Sequence, residues 1–236
     1  MDEFAGRVAL VTGANRGIGL EVVRRLALRG FDALLGARDA RKGEAAAGAL
    51  KAQGLKVTYV HLDVTDPRSV GDAARFVAER FGRLDVLVNN AAILYDSWQR
   101  AAAADLDTVR EAFETNTLGP WRVSQALLPL LRRSGHGRIV NVSSESGSLS
   151  SMGGGTPAYG VSKAGLNALT RMLAAELRGA RVLVNSVCPG WVATEMGGPD
   201  APRTPGEGAA SVMWAVTLPD GGPTGGFFRD GEPLAW

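Results

Sequence analysis

The chain has 236 residues, 45% of them hydrophobic and 21% charged, a balance that excludes a disordered segment or a membrane bundle and leads us to expect one domain over residues 1–236. Lys and Arg number 26 against 24 Asp and Glu, a formal charge of +2, far from the basic surplus of a nucleic-acid binder. One cysteine, Cys188, and two histidines, His61 and His136, exclude an internal disulfide and make a His/Cys metal cluster improbable, so no metal and a reducing, cytoplasmic setting are expected.

The beginning, Met1-Asp2-Glu3-Phe4, is acidic where a secretory leader is basic, and no run of about 18 apolar residues offers a membrane span. A short apolar run, Arg7–Thr12, closes at Gly13 and is followed by helical spacing through Ile18, Val22, Leu26 and Leu28 up to Gly30, which reads as strand, turn, helix. Phe31–Ala37 is a second buried-type strand, Asp39–Gln53 an alanine-rich helix, and Lys56–Leu62 a third strand. Asp66 as N-cap with Pro67 at the first helical position opens a helix that Gly82 stops. Leu84–Val88 is the fourth strand. A helical tract from about Ala104 to Arg133 carries Pro120 and Pro129 as breaks or kinks, and Arg138–Val142 is the fifth strand. Thr156-Pro157 begins a helix running to Gly179, Arg181–Val187 is the sixth strand, and Gly225–Phe228 a short seventh. The alternation predicts an α/β fold: a doubly wound, Rossmann-type parallel sheet of about seven strands with helices on both faces. Strands that are apolar throughout agree with burial on both sides.

Glycine, at 31 residues, is nearly twice the usual ~7%. Three of the glycines form the first turn, Gly13-Ala14-Asn15-Arg16-Gly17-Ile18-Gly19, where a missing Cβ lets backbone approach a pyrophosphate and a helix N-terminus meets its charge. At the end of the second strand, a carboxylate would bond a ribose 2′-hydroxyl. Ala37-Arg38 stands there instead, and Arg38 with Arg16 suits a 2′-phosphate, so NADP(H) is the expected cofactor. Tyr159 and Lys163 are four apart on a predicted helix and share a face; the ammonium is expected to lower the phenol and make it a usable general acid. Ser144, closing the fifth strand, is placed to donate to a carbonyl oxygen.

These motifs occur in one order: the glycine turn, Asn89-Asn90-Ala91-Ala92 after the fourth strand, Asn116 in the next helix, Ser143-Ser144, Tyr159-Gly160-Val161-Ser162-Lys163, then Pro189-Gly190 and Thr194. In that order they resemble the short-chain dehydrogenase/reductase family over nearly the whole chain. The stretches Cys188–Pro199 and Thr204–Ala209 are similar to carbonyl reductases within it.

The resemblance implies a role for each position. Ser144, the second serine, holds the substrate carbonyl, with Ser143 the alternative because about two extra residues within Ser151–Gly155 lengthen the separation from Tyr159. Lys163 also bonds the nicotinamide ribose, and Asn116 holds a relay water. Asp63 and Val64 meet the adenine; Asn89 and Ala91 line the adenosine side; Pro189, Gly190, Val192 and Thr194 serve the nicotinamide end, with Thr194 fixing the carboxamide. Leu94, Trp191 and Met196 are expected to make the substrate pocket apolar, whereas Cys188 reads as a buried small hydrophobe.

The implied activity is transfer of the pro-S hydride of NADPH to an aldehyde or ketone while Tyr159 protonates the alkoxide. A reductase of a 3-oxoacyl thioester, quinone or imine is the alternative, and a non-catalytic NADP-binding sensor a more distant one. The expected partner is a small, hydrophobic carbonyl compound, with no nucleic acid and no membrane. Family members are often homodimers or homotetramers, while carbonyl reductase relatives include monomers; this chain lacks the insertion some animal members carry before the tyrosine.

Overall fold

The computed structural model describes residues 4–236, so the acidic start at Met1-Asp2-Glu3 lies outside the described residues. Eight strands form one sheet: β1 (Val8–Val11), β2 (Asp32–Ala37), β3 (Val57–His61), β4 (Val86–Asn89), β5 (Gly137–Val142), β6 (Val182–Val187), β7 (Phe227–Arg229) and β8 (Glu232–Pro233), in the order β3-β2-β1-β4-β5-β6-β7-β8. All neighbours run parallel except β8, which turns back on β7. The helices are α1 (Gly17–Leu28), α2 (Ala40–Lys51), α3 (Pro67–Phe81), α4 (Leu106–Phe113), α5 (Gly119–Ser134), α6 (Pro157–Glu176) and α7 (Pro205–Val216). None is long and apolar enough to cross a membrane.

Alternation along β1 shows how the layers form. Ala9 and Val11 face one cluster with Val22 and Leu26 of α1 and Val212 and Val216 of α7. Val8 and Leu10 face the other, with Val77 of α3, Leu127 and Leu131 of α5 and Leu166 of α6. A strand buried on both sides has no room for polar alternation, which is why these strands read as continuous apolar runs. Truncating one such leucine to alanine costs about 2–5 kcal/mol. Strand order reverses between β1 and β4, and there the loops after both strands open a crevice at their carboxyl ends.

Three parts differ from the sequence expectation. The tract expected as one helix from Ala104 to Arg133 divides into α4, a π-helical turn at Glu114–Leu118 and α5; the break falls at the π-turn, while Pro129 stays inside a continuous helix. Helix α7 was not anticipated. Its apolar residues surround most of its circumference, but Thr204 and Glu207 form a reciprocal capping box with Pro205 in the first turn. The strand β8 adds a hairpin at the sheet's edge, giving eight strands where about seven were expected.

Candidate active site

The site begins where β1 turns into α1. Gly13 has φ +62°, and a Cβ there would lie 2.8 Å from the Ala91 Cα, so only glycine allows the turn to sit against the loop after β4. That loop is also tied polar-wise: Thr12 Oγ1 accepts from the Asn90 and Ala91 amides, both at 3.0 Å, while Asn90 Nδ2 donates to the Thr12 carbonyl at 2.9 Å and the Gly13 carbonyl at 3.2 Å. The sequence reading gave Thr12 and Asn90 no role of their own. The N-cap of α1, Arg16, is extended and provides no side-chain cap, so first-turn amides around Gly17, Ile18 and Gly19 face the crevice without one. A phosphate suits that position.

The remaining cofactor candidates divide. Arg38 is exposed at the end of β2, and no carboxylate occupies that strand end. Arg16 is exposed too, but its guanidinium pairs with Glu195 in the loop after β6. Asp63 turns its carboxylate on its own loop, accepting from the Thr65 amide at 2.9 Å and hydroxyl at 2.7 Å. Burial pushes this carboxyl up, yet the Thr65 hydrogen bonds outweigh it and hold the group below the usual range. Val64 is buried against Gly119. The Asn89 side chain does not line the cleft as expected: it is buried and donates to Asn141 Oδ1 at 2.8 Å and Ser124 Oγ at 3.1 Å, because β4 and β5 place Asn89 directly beside Asn141. Val192 is also turned inward, packing toward Gly208, whereas Thr194 lies against Gly17 and accepts from the Gly197 amide at 3.2 Å. Pro189 and Gly190 follow β6 directly, with Gly190 at φ +78° beneath the Arg203 side chain.

At the carboxyl end of β5 the other residues converge. Ser144 is half-buried, its Oγ accepts from the Ser146 amide at 3.2 Å and its hydroxyl acts to lower the Tyr159 phenol, while Ser143 is buried with an Oγ that has no partner among the described residues. Lys163 is buried, its Nζ donating to the Val142 carbonyl at 2.8 Å and lying 5.5 Å from the Tyr159 ring centroid. Burial pulls the ammonium down to about 8. The phenol is not lowered as the sequence led us to expect: burial pushes it up to about 12 against the opposing Ser144 hydrogen bond. It is therefore held as a protonated donor at neutral pH. Asn116 sits in the π-turn with its side chain fully engaged. It accepts from the Ile93 amide at 2.8 Å and donates to the Ile93 carbonyl at 2.9 Å and to Ser162 Oγ at 3.0 Å.

Beside Ser144 opens a cavity of about 430 Å³ lined by Glu145, Ser146, Ser151, Gly153, Gly155 and Thr156. None of Leu94, Trp191 and Met196 lines it. Trp191 and Met196 are exposed, on the loop after β6, where the indole N–H donates to the Gly197 carbonyl at 2.7 Å and closes the turn. Cys188 is buried as expected, but against a charge: Arg229 Nη2 approaches its sulfur at 3.2 Å and also pairs with Glu145. No cluster of His, Cys, Asp or Glu able to hold a metal ion occurs among the described residues.

A doubly wound sheet with a glycine turn after β1 and a Ser-Tyr-Lys group after β5 defines a nucleotide-dependent oxidoreductase, and the short chain dehydrogenase family profile matches residues 7–204. The chain belongs to that family. Within it, the chain is 36% identical to pig (Sus scrofa) carbonyl reductase [NADPH] 1, over 98% of this chain and 94% of the relative. Among solved structures it is similar to the NADPH-bound carbonyl reductase from chicken fatty liver (TM-score 0.86, 34% identity, 98% of this chain and 99% of that one). The carbonyl reductase Sniffer of D. melanogaster superposes with TM-score 0.88 at 30% identity, over 98% of this chain and 100% of that one.

Proposed function

We propose that the chain reduces aldehydes or ketones to alcohols with NADPH. The observation that carries this is the convergence of Ser144, Tyr159 and Lys163 beside a cavity, at the end of a crevice whose adenosine side offers Arg38 in place of a carboxylate. NADPH would supply the hydride. Gly13, Asn15, Gly17, Ile18 and Gly19 would hold its pyrophosphate at the first turn of α1, and Arg38 would offer charge-assisted bonds to the 2′-phosphate. Arg16, here paired with Glu195, would be the second cation at that end. The Asp63 turn and Ala91 bound the adenosine side, and Pro189, Gly190 and Thr194 the nicotinamide side.

Ser144 donates to the substrate carbonyl oxygen, where negative charge grows in the transition state. Tyr159, protonated at neutral pH, donates the proton that completes the alcohol, because the alkoxide it meets is the stronger base. Lys163, charged below about pH 8, stabilises the phenolate left behind. Asn116 anchors the loop after β4 to α6, and its π-turn backbone is the part left to hold a relay water. We place the enzyme in the cytoplasm and expect a homodimer or homotetramer.

The test is NADPH consumption, followed by absorbance, across aliphatic, aromatic and quinone carbonyls, with NADH in parallel. Turnover of at least one carbonyl with NADPH preferred is the expected result. NADPH binding with no turnover of any of them would refute the assignment.

A further inference from the structure

We propose that Asp96 is a positioning residue for Tyr159, capping the tyrosine's helix from the loop after β4. Helix α6 starts without a cap of its own: Thr156 at its N-cap has φ +47° and provides no side-chain hydrogen bond. A β-branched residue in the left-handed region is strained and persists only where its surroundings enforce it. The cap that α6 lacks locally comes from 62 residues away. Asp96 Oδ2 accepts from the Ala158 amide at 2.7 Å and from the Tyr159 amide at 3.4 Å.

Asp96 is 1% exposed, and its other oxygen, Oδ1, has no partner among the described residues. A buried carboxylate with one idle oxygen is a costly way to stabilise a helix. The helix N-terminus compensates its charge, and the ordered backbone is what the arrangement gains. The Tyr159 backbone is thereby held from both sides, because Ser162 Oγ donates to the Tyr159 carbonyl at 2.7 Å and accepts from Asn116 Nδ2. Three residues before Asp96, Ile93 is fixed by the same Asn116 amide group. Loop, π-turn and α6 form one braced unit with Tyr159 inside it. On the loop's outer side Tyr95 and Trp98 are exposed, so anything binding against them bears on the same brace.

This inference rests on the reductase reading, and its test separates the two. Asp96→Ala is expected to lower kcat about tenfold, the rate equivalent of a lost cap, with KM for NADPH within about twofold of the parent. Asp96→Asn, which keeps an acceptor oxygen, is expected to recover kcat to within about threefold. In the unsubstituted protein, the Ala158 and Tyr159 amides, which an uncapped first turn would leave to solvent, are expected to be protected in hydrogen exchange. Unprotected amides, an alanine variant that loses thermal stability but not kcat, or an asparagine variant as slow as alanine would each overturn the proposal. If Asp96→Ala does not fold, the asparagine variant and the amide exchange decide. If the unsubstituted protein reduces no carbonyl, the reductase reading falls, and the amide exchange still decides whether Asp96 caps α6.

Discussion

Replacing Gly147 with alanine separates the two halves of the site while leaving every chemical group in place. Gly147 ends the 3-10 turn Glu145–Gly147 that follows Ser144, and an added Cβ would lie 2.6 Å from the Lys163 carbonyl carbon, 2.7 Å from its Cβ and 2.8 Å from the Ala164 nitrogen. Comfortable separation between carbon atoms is about 3.5–4.0 Å, so the turn and α6 must part by about 1 Å. The obstacle is helix backbone, and no flexible side-chain end is available to swing away. Overpacking of this kind costs about 1–3 kcal/mol, a melting-point drop of about 2–12 °C at this chain length. The separation falls between Ser144 on one side and Tyr159 and Lys163 on the other, and a 1 Å misplacement of reacting groups costs about a hundredfold in rate. Thermal melting and kcat measured on the same preparation check both numbers. A Gly147→Ala protein with unchanged melting point and kcat would refute the claim that this turn packs directly on the helix carrying Tyr159.

Arg38→Ala is expected to weaken NADPH about 10- to 100-fold, the worth of charge-assisted bonds to a phosphate, with little effect on NADH; KM values for both cofactors check it. Arg16→Ala has the smaller effect, because that guanidinium already has Glu195. Lys163 gives a signed pH dependence. Its folded-state value of about 8 lies below the ordinary 10.5, so kcat/KM for reduction is expected to fall as pH rises through about 8. Stability moves the opposite way: between about 8 and 10.5 the unfolded chain holds a proton the folded lysine has released, and stability climbs by up to about 3 kcal/mol. Denaturant melts at about pH 7.5, below that window, and about pH 9.5, inside it, check the sign, and a flat or falling trend contradicts it. Tyr159, raised to about 12, takes stability away only above about pH 10, where the unfolded phenol begins to ionise.

The alternating elements through β6 were legible because their signals are local: doubly buried strands are uniformly apolar, and glycine or a proline-led N-terminus marks the ends of helices. Tyr159 and Lys163 were legible for the same reason, as a four-residue spacing on one helix face. Helix α7 hid because it is buried nearly all round and shows no polar stripe; its visible sign was the Thr204-Pro205-Gly206-Glu207 start. The π-turn has no composition of its own. Asn89 and Asn141 become partners only through the parallel register of β4 and β5, and Asp96 meets α6 from 62 residues away, pairings no local pattern encodes. The upward shift of the phenol was missed because a neighbouring ammonium was weighed without the burial that acts on both groups.

The central claim is that Tyr159 delivers the proton while the rest of the site holds the cofactor. Tyr159→Phe removes one hydroxyl and keeps the ring, so NADPH affinity by fluorescence titration and single-turnover reduction of the best carbonyl, measured on one sample, test it most directly. The account predicts NADPH affinity within about threefold of the parent and a rate at least a hundredfold lower, within the range lost with a general acid. A phenylalanine variant that binds NADPH and reduces the carbonyl at the parental rate would contradict it.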